Sequence, residues 1–567
     1  MRMLDSMIYR WLDYKARRLN AEFSRAARHP QQTQWRLLET MLRREAETGF
    51  GKDHDFRGIH SVEDFRKQVP IGGYERMEPY INRVIEGDRE ALFAGQKIIM
   101  FALTSGTSAA RKLIPVTQRS VATHRRGWLL WGLSAYDKRQ ELLFRHKINF
   151  NGDDDEFRTP TGVPCGSISG LIARMQSPLV RRTYTLPPAA NKLHDTAAKY
   201  YLAWRIGLVR DIGSWMSPNP STHLALARFG DAAKESLVRD VRDGTISREI
   251  DLPGSVSRSL RRALSANPAR ARELDRIIEQ TGHLYPKDIW PNFGLVACWL
   301  GGTLTTYLKF FPEYFGATPR RDLGLIASEG RMTIPLRDGT SAGVLDLFGM
   351  FFEFVPVEEI DSAQPIALLP HELEEGHEYY IILTTSGGLY RYHIQDVVRC
   401  VGWEGRAPLI EFLNKGKHVS NITGEKISEY QVSRAMEEAC DQLELRLGAF
   451  ALAPRFRREI PYYGLFVELE ELRDVATANA LASRLDDALC KANCEYAAKR
   501  ASGRLEPVEL QPLPRGTWAE FDRDRITRTG AAAEQYKRPR LFADLEFAER
   551  IRSNVGDAAL ESVSKEK

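Results

Sequence analysis

Cysteine is scarce in this chain, with six in 567 residues, and no two of them form a Cys-x-x-Cys pair. Cys165, Cys298, Cys400 and Cys440 stand far apart, while Cys490 and Cys494 are one helical turn apart. That pattern argues against a disulfide framework and against a structural zinc site, and it fits reduced thiols in a cytoplasmic protein. An excess of one charge is also missing. The 80 basic and 75 acidic residues leave a net +5, too thin for the concentrated basic face that nucleic acid demands. The densest basic stretches, "SRSLRRALSANPARAR" from Ser257 and "RDRITR" from Arg523, read as solvated faces. The opening "MRMLDSMIYRWLDYKARRLN" has charges every few residues and no apolar core, so no secretory leader is expected. One run of 20 residues, Ile289 to Leu308, carries no charge and is long enough to cross a bilayer. Its Pro291, Asn292, Gly301-Gly302 pair and three threonines suit a lipid-facing helix poorly. A buried segment that turns near Gly301-Gly302 is expected instead, and no membrane is implied.

Familiar catalytic signatures are absent too. The chain has no GxxxxGK[ST], no GxGxxG and no HExxH. "HELEEGH" sets His371 and His377 six apart, off a common helix face, and reads as a surface turn. In "GSISG", Ile168 occupies the position where a nucleophile elbow needs serine. The acidic run Asp153 to Glu156 reads as an exposed loop.

What remains is an ordinary globular composition, 43% hydrophobic and 27% charged, in a chain long enough for several domains. The first 90 residues read as helical, with Trp35, Leu37, Leu38, Met41 and Leu42 at helix spacing. Ile98 to Leu103 is a short apolar run ending in small polar residues, as a buried strand entering a loop does. Residues 190–280 read as helices broken at "SPNPST" and "NPAR". The strand-like runs "DLGLIAS", "MFFEFVPV", "YYIILTT" and "VVRCVGW" follow. This order predicts an α/β domain of roughly 400 residues. A smaller α+β unit is expected after "FLNKGKHVSNITGEK", with "YYGLFVELEE" as a strand and "ANALASRLDDALCKANCEYAAK" as one helix.

Four stretches carry chemistry. "LTSGTSAARKLIPVT" gathers Thr104, Ser105, Gly106, Thr107 and Ser108 ahead of Lys112. Backbone N–H groups of a Gly-containing turn make a concavity for anions, hydroxyls add donors, and a lysine adds charge. In "LIASEG", Ser328 and Glu329 follow an apolar run, which sets a carboxylate at a strand end where Mg²⁺ with phosphate oxygens is well served. In "TTSGGLYRYHIQDVVRCVG", Thr384 to Gly388 reads as a turn and Leu389 to Val398 as a strand with Asp396 inside it. A carboxylate there is costly unless paired, and two ribose hydroxyls would pair it. "EQYKRPRLF" sets Lys537 in a short turn before Pro539.

Taken in order, these residues resemble the adenylate-forming superfamily, and within it the Gretchen Hagen-type branch of auxin-responsive acyl acid–amino acid amido synthetases and their bacterial relatives. "SVEDFRKQVPIGGYERMEPYINRVIEGD", "DIWPNFG", "FFEFVPVEE", "GLYRYHIQDVVRCVG" and "QYKRPR" extend the likeness over nearly the whole chain. The resemblance implies a large N-terminal domain over 1–413, a hinge at 414–424 and a smaller mobile α+β domain over 425–567. It implies ATP and Mg²⁺, with Thr104 to Ser108 and Lys112 on the phosphates, Ser328 among the nucleotide-binding residues, and Glu329 at the metal and in catalysis. Asp396 would take the ribose, Phe412 and Lys426 would contact the nucleotide near the domain junction, and Lys537 would act on the reacting groups. The substrates implied are a small carboxylic acid and an amine or amino acid. A carboxylate–CoA ligase and a non-catalytic nucleotide-binding scaffold are the alternatives. Three positions depart from the family pattern: Ala109 for glycine, Arg111 for proline, and Gln395 for the glycine before the aspartate.

Overall fold

The computed structural model describes residues 17–104, 112–193, 195–247, 250–260, 264–360, 362, 364–416, 419–445, 447–472, 474–529 and 539–553. These divide into two compact units, one running up to Leu413 and the other starting at Asn414.

Among the described residues the first unit has three sheets of four or more strands and one two-stranded hairpin. A mixed sheet orders Lys112–Thr117, Ile98–Thr104, Pro164–Gly166 and Phe157–Arg158, with Lys112–Thr117 at its edge. A parallel sheet runs His146–Asn149, Ile212–Met216, Leu295–Ala297, Arg320–Arg321. A third sheet orders Thr333–Ile334, Gly343–Leu345, Ala407–Lys415, Tyr392–Glu404, Glu378–Thr385 and Met350–Pro356. The parallel sheet explains the charge-free run. Leu295, Val296 and Ala297 are its fully buried interior strand, where a charged side chain would have no solvent. The run then turns at Gly302, which has φ +61°, and continues as a 3₁₀ stretch over Gly302–Phe310. A Cβ on Gly302 would lie 2.8 Å from the carbonyl oxygen of Leu413, so both the backbone angle and the space require glycine. Among the described residues no helix is long and apolar enough to cross a membrane.

Polar punctuation sets the helix starts. "SPNPST" and "NPAR" mark them: Asn219 caps Pro220–Ala232 and Asn267 caps Pro268–Thr281, each with proline in the first turn. In the acidic run, Asp154 pairs with Arg174 at 2.6 Å and Asp155 with Arg158 at 2.5 Å.

The second unit has a sheet of Ala451–Arg457, Ile460–Glu468 and Glu509–Leu513, with the helices Glu429–Gln442 and Val475–Ala492 in the same core. Here one expectation is corrected. The single helix read from Ala478 to Lys499 is two, Val475–Ala492 and Cys494–Ala501. Asn493 leaves the helical region and its side-chain oxygen accepts from the Tyr496 amide at 3.0 Å. A cap inside an amphipathic run outcompetes helix continuation because asparagine bonds its own backbone.

Candidate functional site

The Ile98–Thr104 and Lys112–Thr117 strands pair antiparallel, and their last pair is Thr104 with Lys112. Ser105, Gly106, Thr107 and Ser108 lie outside the described residues, as does Lys537. Lys112 places its ammonium 5.6 Å from the centre of the Tyr74 ring. After Thr117 the chain enters the Gln118–Tyr136 helix through a capping box in which Thr117 Oγ1 accepts from the Ser120 amide at 3.2 Å.

Ser328 and Glu329 form the two-residue turn of a small hairpin, with Ala327 opposite Gly330. The preceding Ile326–Ala327 strand is partly exposed rather than buried, and only two residues long. What holds the hairpin is Arg331, whose side chain is fully buried. Its Nη1 donates to the Leu323 carbonyl at 2.6 Å, and its guanidinium lies 4.4 Å from the Trp128 ring centre. It crosses the Gln118–Tyr136 helix at Gly127, where an added Cβ would come within 2.4 Å of Arg331 Cδ. Burial pulls the Arg331 pKa down to about 9, against the pull of the Asp346 and Asp322 carboxylates. Sequence reading missed this residue. The signal available was a glycine inside a helix, which does not say what crosses it.

Asp396 sits in a bulge. Tyr380 faces Val397 and Ile382 faces His393, so Ile381 alone stands opposite Ile394, Gln395 and Asp396. Gln395 takes φ +68°, the left-handed conformation that glycine adopts without cost, and its side chain is exposed. This chain accommodates glutamine at that angle. The bulge turns Asp396 inward to 5% exposure. Gln395→Gly should raise the unfolding free energy by about 0.5–1 kcal/mol, the left-handed strain relieved less the extra entropy of the unfolded glycine. Denaturant titration reads this, and a lower midpoint would mean that the glutamine side chain itself holds the bulge.

The turn ahead of this strand is clamped by charge. Arg391 has φ +44°, and its Nε and Nη2 reach the two Glu353 oxygens at 2.7 and 3.1 Å. Its Nη1 donates to the Val69 carbonyl at 2.9 Å, and Arg66 Nε joins Glu353 at 2.9 Å.

These features converge at Tyr392, which is 3% exposed. Burial, then the Glu329 carboxylate, then Tyr74, Glu75 and Asp396, raise its phenol far above the usual range. Two of the predicted carboxylates, remote in sequence, therefore act on one buried ring. Among the described residues no group of three or more His, Cys, Asp or Glu is arranged to hold a metal alone, so Mg²⁺ here would depend on phosphate oxygens for the rest of its shell.

Phe412 lies beside the Gly301-Gly302 turn, its ring 3.5 Å from where a Cβ on Gly302 would be. Lys426 belongs to the second unit, in the loop between Val419–Ser420 and Ile427–Ser428. There it has φ +49°. Its neighbour Glu425 is fully buried and accepts from the amides of Ile422 at 2.8 Å and Thr423 at 2.7 Å, and from the Tyr463 hydroxyl. Asn493 donates to the Glu425 carbonyl at 2.9 Å, so the residue that splits the helix also ties down this loop.

Comparison with known proteins adds three matches in chain order. Residues 19–320 match the GH3 family N-terminal domain, 343–415 the GH3 family central domain and 430–546 the GH3 family C-terminal domain. Among curated relatives, the indole-3-acetic acid-amido synthetase GH3.8 of Oryza sativa subsp. indica is 27% identical, over 92% of this chain and 90% of its own length. The jasmonoyl–L-amino acid synthetase GH3.5 of Oryza sativa subsp. japonica is 25% identical, over 92% of this chain and 94% of its own. Among solved structures, the GH3.15 acyl acid amido synthetase superposes with a TM-score of 0.64 at 23% identity, covering 94% of this chain and 95% of that one. A 2-hydroxyisobutyryl-CoA ligase shares the fold at a TM-score of 0.52 and 12% identity, covering 95% of this chain and 93% of that one.

Proposed function

The chain belongs to the GH3 family, and from that premise we propose that it is an ATP-dependent acyl acid amido synthetase. It is a ligase that joins a carboxylic acid to an amine. The substrate carboxylate attacks the α-phosphorus of ATP, an acyl-adenylate forms and pyrophosphate leaves. The amine of an amino acid then attacks the acyl carbon, the amide forms and AMP leaves. Little covalent work falls to the protein in such chemistry, so its share is positioning and charge stabilisation.

The observation that carries this reading is the succession of the three GH3 family domain matches along the chain. In this reading Thr104, Ser105, Gly106, Thr107, Ser108 and Lys112 hold the triphosphate, and Asp396 accepts from the ribose hydroxyls. Ser328 helps hold the nucleotide, and Glu329 serves Mg²⁺, which when bound would neutralise charge on the phosphates. Phe412 and Lys426 contact the nucleotide, residues 414–424 act as a hinge, and Lys537 reaches the reacting carboxylate and α-phosphate. A cytoplasmic setting accords with the six unpaired cysteines.

The test has two stages. ATP–pyrophosphate exchange across a panel of carboxylic acids should identify acids that the enzyme activates. With such an acid, amino acids should accelerate AMP release far more than CoA does. Equal or greater stimulation by CoA would reassign the chain as a carboxylate–CoA ligase. No exchange with any acid would favour a non-catalytic nucleotide-binding protein.

A further inference from the structure

We propose that Lys147, Tyr136 and Ser214 form a buried site for one small monovalent anion of the halide class, which joins the end of the Gln118–Tyr136 helix to the parallel sheet. The site is separate from the residues proposed for the nucleotide and does not depend on the amido synthetase reading. Lys147 stands beside Ser214 in the register of His146–Asn149 with Ile212–Met216, so both side chains leave the same face of the sheet. The Tyr136 ring closes over them, its centre 5.2 Å from the Lys147 ammonium. Lys147 is 8% exposed, Tyr136 6% and Ser214 0%, so bulk water does not serve their polar atoms.

What the three lack is an acceptor. Lys147 has three N–H donors and uses two, to the Leu143 carbonyl and the Thr183 hydroxyl, each at a long 3.3 Å. The Thr183 hydroxyl gives its own proton to the Val180 carbonyl at 2.7 Å. Burial pushes the Tyr136 phenol up to about 12, and Ser214 lies close enough to pull the other way. Yet neither the Tyr136 nor the Ser214 hydroxyl has a hydrogen-bond partner. Burial alone pulls the Lys147 ammonium down to about 8, which leaves it mostly protonated at neutral pH, and no carboxylate among the described residues pulls it back.

The surroundings of Lys147 are cationic or neutral. Arg210 Nη1 lies 3.3 Å from His146 Nδ1, and burial, Arg210 and Lys147 bring the His146 imidazole down to about 4. Asp211, whose carbonyl accepts from the His146 amide, has its carboxylate engaged by Arg145 and Asn292. A buried charge is costly unless it is paired, and buried donors are costly unless an acceptor meets them. One anion among the three side chains supplies both. Their burial limits it to about the size of a single atom.

Thermal unfolding of the full chain at constant ionic strength, with sodium chloride replacing sodium gluconate, tests the proposal. Gluconate is too large to enter. The melting temperature should rise by about 2–4 °C and then level off, as a ligand bound only to the folded state requires. In Lys147→Met, which keeps the buried stem without its charge, the rise should vanish. If that variant does not fold, Tyr136→Phe should need about tenfold more chloride for half the rise, in line with one lost hydrogen bond to a charged group. Crystals soaked in bromide should show an anomalous peak in contact with Lys147 Nζ. A rise that never levels off, or that persists undiminished in either variant, is a general salt effect and overturns the proposal. So does a bromide map with no peak at Lys147, which would leave the amine to a water molecule.

Discussion

Lys537→Ala should slow acyl-adenylate formation by about 100-fold or more, the usual consequence of removing one preorganised donor from a developing charge. Negative charge shifts toward pyrophosphate as the carboxylate attacks, and an ammonium at the α-phosphate is worth most at that moment. An interaction made mainly in the transition state lowers the rate without weakening ground-state binding to match. ATP affinity should therefore change much less than the rate of pyrophosphate exchange. Amide formation from a supplied acyl-adenylate should largely survive, because no pyrophosphate departs in that step. The two half-reactions, measured separately by exchange and by single-turnover amide synthesis, distinguish this from general damage. Near-normal exchange in the variant would make Lys537 a surface lysine and remove the main reason to propose closure about residues 414–424.

The second large effect is on stability. Glu353 is 1% exposed and joins Arg391, itself 5% exposed, through two hydrogen bonds. Glu353→Ala leaves the Arg391 guanidinium buried without a counter-charge, a loss of about 3–5 kcal/mol. Domain stabilities are about 5–15 kcal/mol, so the first unit should unfold at markedly lower denaturant. Glu353→Gln keeps an acceptor and should fall between the two. Replacing the pair by apolar residues of similar size, Glu353→Leu with Arg391→Met, should recover much of the loss, since the charge and its burial cost disappear together. Unfolding of the Ala variant within 1 kcal/mol of the unaltered protein would mean that water reaches the pair or that Arg66 suffices. Function should follow stability here. Arg391 holds the turn that leads into the Asp396 bulge, so folded Glu353→Ala protein should also bind ATP more weakly.

The division between what was legible in the sequence and what was not follows a physical line. Local composition carries information about local conformation. The apolar run ending at Leu103, the helix breaks at "SPNPST" and "NPAR", and the turn at Gly301-Gly302 could all be read because each depends on neighbours within a few residues. The residues proposed for the chemistry stood out for a related reason: hydroxyls, a strand-borne aspartate and a glutamate after an apolar run differ from their immediate surroundings. The departure at Gln395 was legible as a departure, but its meaning was not, since a backbone angle of +68° exists only once the strand meets Glu378–Thr385 out of register. Asn493 was misread because a cap and a helix-interior asparagine look alike until the loop carrying Glu425 offers it a second partner.

The supports of the site were invisible for a stronger reason. Arg331 across Gly127 and Glu353 beneath Arg391 are contacts between residues that composition and spacing treat as unrelated. A buried arginine and a surface arginine have the same letter, and only the packed fold decides which one loses its water. The sequence by itself marked the side chains proposed here for the chemistry. The tertiary structure decided which of them are held still, because holding requires partners brought from other parts of the chain.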